Sequence, residues 1–281
     1  MTLFVNRLTQ LDVSLWCPQR GLIGASWQVD AELDGELGED GMLFDFGAVK
    51  PWIKSRLDAG IDHTLLVPTR APAIEIAECG EGLSVCTALP YPMEIRAPRQ
   101  AFTLLPWQEI APQRLGDHLA RELMKRPPSR VSDIRLRLRD EVIDGAAYTY
   151  SHGLKRHVGN CQRIAHGHRS RLHIWQRGER CPALEQEWAS RLNDRYLVDA
   201  EDILCRNEPE WRHTLTSRYR TDQGRFHLRL PLDRCIALPG PTTVEHIAAW
   251  LAQRIREETG TATRVQAFEG IDKGAIAEAR T

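Results

Sequence analysis

The run Met93-Glu94-Ile95-Arg96-Ala97-Pro98, continuing to Leu104-Leu105-Pro106, returns as Phe226-His227-Leu228-Arg229-Leu230-Pro231, continuing to Ala237-Leu238-Pro239. Arg, Pro, Leu and Pro recur at one offset without a gap. An internal repeat constrains a fold before any local pattern does, because each copy must build the same supersecondary unit. Other segments extend the match. Gly24-Ala25-Ser26-Trp27-Gln28-Val29 aligns with Gly167-His168-Arg169-Ser170-Arg171-Leu172. Asp117-His118-Leu119-Ala120 aligns with Glu245-His246-Ile247-Ala248, each read as opening an amphipathic helix with an acidic first turn. Ile134-Arg135-Leu136-Arg137-Leu138 parallels Arg264-Val265-Gln266-Ala267-Phe268 as an alternating strand. The offset shrinks along the chain, as a second copy with shorter connections requires. A chain of 281 residues can bury two ordinary cores, and the repeat places the units at 1–145 and 146–281.

Each copy reads strand, strand, helix, β-rich connection, helix, strand. In the first, strands are expected over 3–16 and 22–35 and a helix from Phe46 to Leu57. A hairpin follows, Ile74-Glu75-Ile76-Ala77 and Leu83-Ser84-Val85-Cys86 around Cys79-Gly80-Glu81-Gly82. A helix over 114–125 is stopped by Pro127-Pro128. In the second copy the helices are expected over 183–194 and 243–258, the latter ending before Gly260. This order predicts the α+β class, with antiparallel sheets and helices packed on one face.

Thirty-seven basic residues against 38 acidic leave a net charge of -1, so no global field favours nucleic acid or an anionic membrane. No apolar run approaches a bilayer span, and no basic-then-apolar leader opens the sequence. Seven scattered cysteines, with no CxxC pair, point to reduced thiols in a cytoplasmic protein.

The chemistry concentrates in Asn160-Cys161-Gln162-Arg163-Ile164-Ala165-His166-Gly167-His168, with His152 upstream. In a strand over 165–175, His166 and His168 share a face because side chains alternate with period two. A hairpin from Ala147-Tyr148-Thr149-Tyr150-Ser151-His152 brings His152 opposite them. Three imidazoles without a fourth protein ligand suit a catalytic zinc, whose open position takes water or a substrate oxygen. The nearby thiol of Cys161 can move a proton. The plainer alternative is a turn carrying two solvated histidines.

With these landmarks the chain resembles the 6-pyruvoyltetrahydropterin synthase and 6-carboxytetrahydropterin synthase family, whose fold is the tunnelling fold (ββααββ). The landmarks are His152; Cys161 with His166-Gly167-His168; Gly41-Met42-Leu43-Phe44-Asp45-Phe46-Gly47; Asp62-His63; Thr243-Val244-Glu245; and Glu269. They fall in two incomplete copies. The first copy has Leu15, Ile23 and Ala25 at the metal positions but keeps Asp62-His63. The second keeps the histidines, Cys161 and Glu269, lacks the Gly-Met-x-x-Asp-Phe-Gly run, and places the Asp-His position near Glu201-Asp202.

The resemblance implies a zinc-dependent synthase acting on 7,8-dihydroneopterin triphosphate, with Zn2+ on His152, His166 and His168. It implies Cys161 as the base, Asp62 and His63 as a proton relay, and Glu269, Thr243 and Glu245 lining the pterin pocket. The 6-carboxytetrahydropterin type, which feeds deazapurine biosynthesis, is the leading expectation. A 6-pyruvoyl synthase, a pterin aldolase and a non-catalytic zinc or pterin binder are the alternatives. Family sites lie between neighbouring units, so the two half-sites are expected to complement each other. Open sheet edges lead us to expect a homo-oligomer, with the shared site between chains rather than within one.

Overall fold

The computed structural model describes residues 1–208 and 211–280. The first half runs β1 (Thr2–Cys17), β2 (Gly21–Gly35), α1 (Phe46–Gly60), β3 (Leu65–Pro68), β4 (Ile74–Cys79), β5 (Gly82–Thr87), β6 (Met93–Ala97), β7 (Phe102–Leu105), α2 (Pro112–Met124) and β8 (Val131–Asp140). The second runs β9 (Ala147–His152), β10 (His166–Gln176), β11 (Glu179–Arg180), α3 (Pro182–Leu192), β12 (Arg195–Asp199), β13 (Ile203–Glu208), β14 (Trp211–Thr221), β15 (Gly224–Pro231), β16 (Cys235–Leu238), α4 (Val244–Thr259), β17 (Thr263–Phe268) and β18 (Gly274–Ala279). This is the α+β class read from the repeat, but the main sheets are mixed rather than antiparallel, because β3 runs parallel to β1 and β7, and β12 parallel to β9 and β16.

The described residues form one main sheet per half and a third sheet that the halves share. The first is ordered β7-β3-β1-β2-β8 and the second β16-β12-β9-β10-β17-β18, with β11 appended to β10. Leu11, Val13, Leu15 and Leu136 point from the first sheet onto Ile53 of α1 and Leu119 of α2. Tyr150, Leu172 and Val265 face Trp188 of α3 and Leu251 of α4 in the same way. The third sheet, β13-β14-β15-β6-β5-β4, is continuous across the halves. Its central pairing sets Ile95 opposite Leu228, the two residues that the repeat makes equivalent. A local two-fold axis therefore passes between them.

The same axis explains the glycine of His-Gly-His. Equivalent serines meet across it, with Ser14 Oγ donating to Ser151 Oγ at 2.7 Å. The equivalent glycines Gly24 and Gly167 lie against each other: a Cβ on Gly167 would fall 2.8 Å from the Gly24 Cα and 2.5 Å from the Tyr150 carbonyl oxygen. Only a residue without a side chain lets the two main sheets approach this closely.

Two alignments read from sequence shift in the structure. The buried faces of α2 (Leu115, Gly116, Leu119, Ala120, Leu123) and α4 (Ile247, Ala248, Leu251, Ala252, Ile255) superpose one turn away from the Asp117/Glu245 match. Helix α2 has no acid in its first turn. An amphipathic helix resembles itself displaced by four residues, which share a face. In the last strands, Leu136 and Leu138 match Val265 and Ala267, not Gln266 and Phe268. A one-residue slip exchanges the faces of a strand.

All seven cysteines are free thiols. No helix of the described residues is long and apolar enough to cross a membrane.

Gly24→Ala should be destabilising, because its Cβ would sit 2.1 Å from the Tyr150 carbonyl oxygen. We expect a loss of about 1–3 kcal/mol, typical of overpacking, read as a lower urea midpoint at unchanged slope. At the shared sheet, burial with the cations of Arg96 and Arg229, against the opposing pull of Glu94, pushes His227 down to about 4. The unfolded chain, with an ordinary histidine, binds more protons between pH 4 and 6.5. Stability should therefore fall as pH drops through that window, and His227→Gln should flatten the fall. An unchanged pH–stability curve in His227→Gln would reject the assignment.

Candidate metal centre and proton relay

Strand pairing builds the three-histidine cluster. His166 lies directly opposite His152 across β9 and β10, and His168 lies opposite Tyr150. Alternation therefore turns all three imidazoles to one face. All three are at most 1% exposed. His152 Nε2 and His168 Nε2 are 3.2 Å apart, and the candidate ligand atoms of the three rings lie within 4.8 Å of one another.

The other ring nitrogen of each histidine has an oxygen behind it. His152 Nδ1 lies 2.9 Å from the Thr242 carbonyl oxygen, and His166 Nδ1 lies 3.2 Å from that of Arg163. His168 Nδ1 lies 3.2 Å from Asp12 Oδ1. Nδ1–H facing an oxygen leaves Nε2 as a bare acceptor, the tautomer and orientation that metal-binding histidines use. Burial first, then mutual repulsion among the rings, pushes His152 and His166 well below the ordinary histidine value. Both are neutral imidazoles at physiological pH. Buried, neutral donors converging on one point fit a divalent cation that binds nitrogen.

Asp12 comes from the first half, so the orientation of His168 depends on the seam. Deep burial would raise its carboxyl, but His168, Lys273 and Ser26 outweigh that and hold it well below the usual carboxylate range. Ser26 Oγ donates to Oδ1 at 2.5 Å and Lys273 Nζ to Oδ2 at 3.0 Å.

Asp12 also anchors Asp62-His63 through its backbone. Its N–H donates to Asp62 Oδ1 at 2.9 Å, and its carbonyl accepts from the His63 N–H at 2.8 Å. His63 sits at φ 56 just beyond α1, a conformation that a non-glycine residue keeps only when its surroundings enforce it. Its Nδ1 lies 2.6 Å from Asp62 Oδ2. Burial opposes a charge on this ring, yet Asp62 and Cys161 together raise His63 to about 10.

Residues 153–165 carry Cys161 to this pair. The Cys161 carbonyl accepts from the Leu154 N–H at 2.8 Å, closing the loop. Asn160 donates to the Asp58 carbonyl at 3.2 Å, and Arg163 to the Asp62 carbonyl at 3.1 Å. The loop is thus pinned to the end of α1 in the other half. Candidate ligand atoms of His63, Cys161 and His166 lie within 4.8 Å of one another.

One chain therefore supplies both half-sites, where the sequence reading leaned towards neighbouring chains. The Asp-His equivalent of the second half also differs from the expectation. It is Asn193-Asp194, not Glu201-Asp202. The Thr149 N–H donates to Asn193 Oδ1 at 3.0 Å and the Thr149 carbonyl accepts from the Asp194 N–H at 2.8 Å, repeating the Asp12 pattern. Asp194, at φ 57, repeats the His63 backbone. Glu201 and Asp202 instead pair with Lys155.

Glu269 follows β17 and sets Oε1 4.0 Å from His168 Nε2. Thr243 and Glu245 stand apart. Thr243 caps α4, its hydroxyl 2.9 Å from His246 Nδ1, and Glu245 is exposed in the first turn. The neighbouring Thr242 is the residue that reaches the cluster. Asp12, Thr242 and Lys273 escaped the sequence reading. Asp12 alone carried a signal, an acid within the apolar alternation Leu11-Asp12-Val13-Ser14-Leu15.

A buried three-histidine cluster facing a thiol and a carboxylate–imidazole pair, across the seam of a duplicated α+β unit, makes a candidate metal site. The chain belongs to the 6-pyruvoyl tetrahydropterin synthase family, whose model matches residues 16–136 and again 143–280. Members of this family are lyases, and the two matches make the chain a tandem pair of tunnelling-fold units. Solved structures with likeness include the Plasmodium falciparum 6-pyruvoyl tetrahydropterin synthase. It is 14% identical at TM-score 0.41, with 50% of this chain and 91% of that one covered. The Plasmodium vivax enzyme is 16% identical at TM-score 0.38, covering 50% and 98%. No curated protein matches the chain.

Asp12→Ala should weaken binding of a divalent cation by roughly 10–100-fold, the usual cost of losing a partner behind a ligating histidine. Competition against a chromogenic chelator measures it. Unchanged affinity would mean that His168 is oriented without Asp12.

Proposed function

We propose that the chain is a zinc-dependent pterin synthase acting on 7,8-dihydroneopterin triphosphate, most closely of the 6-carboxytetrahydropterin type. The observation that carries this reading is the meeting, in one chain, of the His152-His166-His168 cluster with Cys161 and Asp62-His63. Asp12, whose carboxylate faces His168 and whose backbone holds His63, joins the two sets.

Zinc on the three Nε2 atoms would act as a Lewis acid, drawing charge from a substrate side-chain oxygen and acidifying the adjacent C–H. The Cys161 sulfur takes the proton from that carbon. His63 is protonated at neutral pH and its imidazolium lies beside the sulfur, the kind of cationic setting in which a thiol acts as a base. Asp62 fixes the imidazole ring through Nδ1, leaving Nε2 to deliver or receive the second proton. Glu269 accepts hydrogen bonds from the pterin ring N–H and amino group. Buried Tyr150, edge-on to His152 with centroids 5.2 Å apart, walls the ligands from bulk water. Loss of triphosphate and cleavage of the side chain follow the first proton abstraction.

The units are assigned to 1–145 and 146–281, in a cytoplasmic homo-oligomer. The main sheets end in β7, β8, β16 and β18, edges that further copies would cover. Thr243 and Glu245 belong to the substrate pocket only if such a neighbour completes it.

Turnover of 7,8-dihydroneopterin triphosphate, with mass spectrometry of the product, tests the assignment. A carboxy product is expected. A pyruvoyl product or a released side chain would move the enzyme within the fold, and no product with intact pterin binding would leave a binding protein. Cys161→Ala should lower the rate about 10²–10⁴-fold, the usual contribution of a proton-transfer group, while zinc and pterin binding persist. Wild-type activity in that variant would place the base elsewhere.

A further inference from the structure

The local two-fold axis requires a second site, related to the histidine cluster by exchange of the halves. At that place lies a cavity of about 460 Å³, within the usual size range of small-molecule pockets. Leu15, Ile23 and Ala25 line it. Leu15 pairs with Ile23, and Val13 with Ala25, in the register that β9 and β10 use for His152, His166, Tyr150 and His168. No metal can bind to three apolar side chains. The loop that carries Cys161 has no counterpart either, since only residues 18–20 join β1 to β2.

The rest of the site is not erased. Asp140 pairs with Trp27 in the register of β2 and β8. Extending the β10–β17 register from Leu172–Ala267 places Glu269 opposite Ser170, the equivalent of Trp27. Asp140 is thus the counterpart of Glu269, and it lines the cavity beside Trp27. Arg20 and Arg169 also line it. Arg169 comes from the other half, and its backbone N–H donates to the hydroxyl oxygen of the equivalent residue Ser26 at 3.1 Å. Asn193 and Asp194 keep the backbone bonds and the left-handed turn of Asp62-His63, and Arg20 binds Asp194 through Nε at 3.0 Å. Apolar side chains stand here in place of the imidazoles, and two guanidinium groups, those of Arg20 and Arg169, lie on the rim.

We infer that this cavity is a second, metal-free binding site for a planar pterin-type heterocycle with an anionic side chain. Asp140 accepts from the ring N–H and amino edge, Trp27 and the three apolar residues pack on the ring plane, and Arg20 and Arg169 face the anion. Apolar side chains in place of the imidazoles leave no Lewis acid, and the thiol in the lining, Cys17, donates to Gln19 Oε1 at 3.2 Å, so bound ligand is held unchanged. The ligand class rests on the pterin reading of the first site, and the test separates the two.

Full-length protein is dialysed to equilibrium against pterin-6-carboxylate, a fluorescent probe with the required ring and charge. Wild type should bind two per chain, and the His166→Ala/His168→Ala variant one. Asp140→Ala, an exposed position, should weaken one of the two sites about tenfold or more, as loss of a charged hydrogen-bond partner does, with turnover unchanged. Arg169→Gln is the independent check and should weaken the same site. One pterin in wild type and none in the histidine variant overturns the second site while leaving the proposed function intact. One pterin that survives the histidine substitutions and is lost in Asp140→Ala supports the second site and overturns the first. No pterin in wild type overturns both.

Discussion

Everything distinctive about this molecule depends on the contact between two glycines. Gly24 and Gly167 face each other on the local two-fold axis, closer than any side chain permits. That approach sets Ser14 on Ser151 and lets Asp12 of one half reach His168 of the other. Spacing the sheets by even a methyl group would move the carboxylate away from the imidazole. The glycine between His166 and His168 is therefore a packing residue first. It allows the other unit to set Asp12 behind His168.

Duplication within one chain changes what symmetry allows. In an oligomer of identical units, every site carries the same substitutions, because each unit contributes the same surface to every contact. Joining two units in one chain frees the paired sites to diverge. Here the three imidazoles of one site stand where the other has Leu15, Ile23 and Ala25, while the backbone cradle of Asp62-His63 persists at Asn193-Asp194. Side chains have changed on a scaffold whose hydrogen bonds have not. The shared sheet shows the same conservatism, with Ile95 still opposite Leu228.

The elements legible in sequence were those set by local periodicity. Alternation put the histidines on one face, and the repeat gave two α+β units. Misplaced features depended on information that local periodicity lacks. The sequence match of α2 to α4 is one turn out of register because residues four apart share a face. The Asp-His equivalent lies earlier than the expected Glu201-Asp202 because α3 ends at Leu192 rather than 194, so that Asn193-Asp194 form the turn. Asp12 was unreadable as a site residue for a deeper reason. Its partner His168 lies in the other half of the chain, and nothing local marks an acid on a strand as reaching across a seam. The joining of β6 to β15 was invisible likewise, although it pairs the best-matched segments of the repeat.

The polarity of the site follows from this division of labour. The second half provides neutral donors, His152 and His166, which burial keeps uncharged. The first half adds Asp12 behind His168 and His63 held protonated by Asp62, and the second half adds Lys273 on Asp12. Neutral imidazoles such as His152 and His166 can receive a cation, whereas ionised groups in the same wall would compete with it or pair with each other. Across the seam Asp12 and Lys273 close the network, with Lys273 held protonated against its burial by Asp12, Glu269 and Asp62. The close approach of the halves at the glycine pair and the meeting of these groups are therefore one geometric constraint.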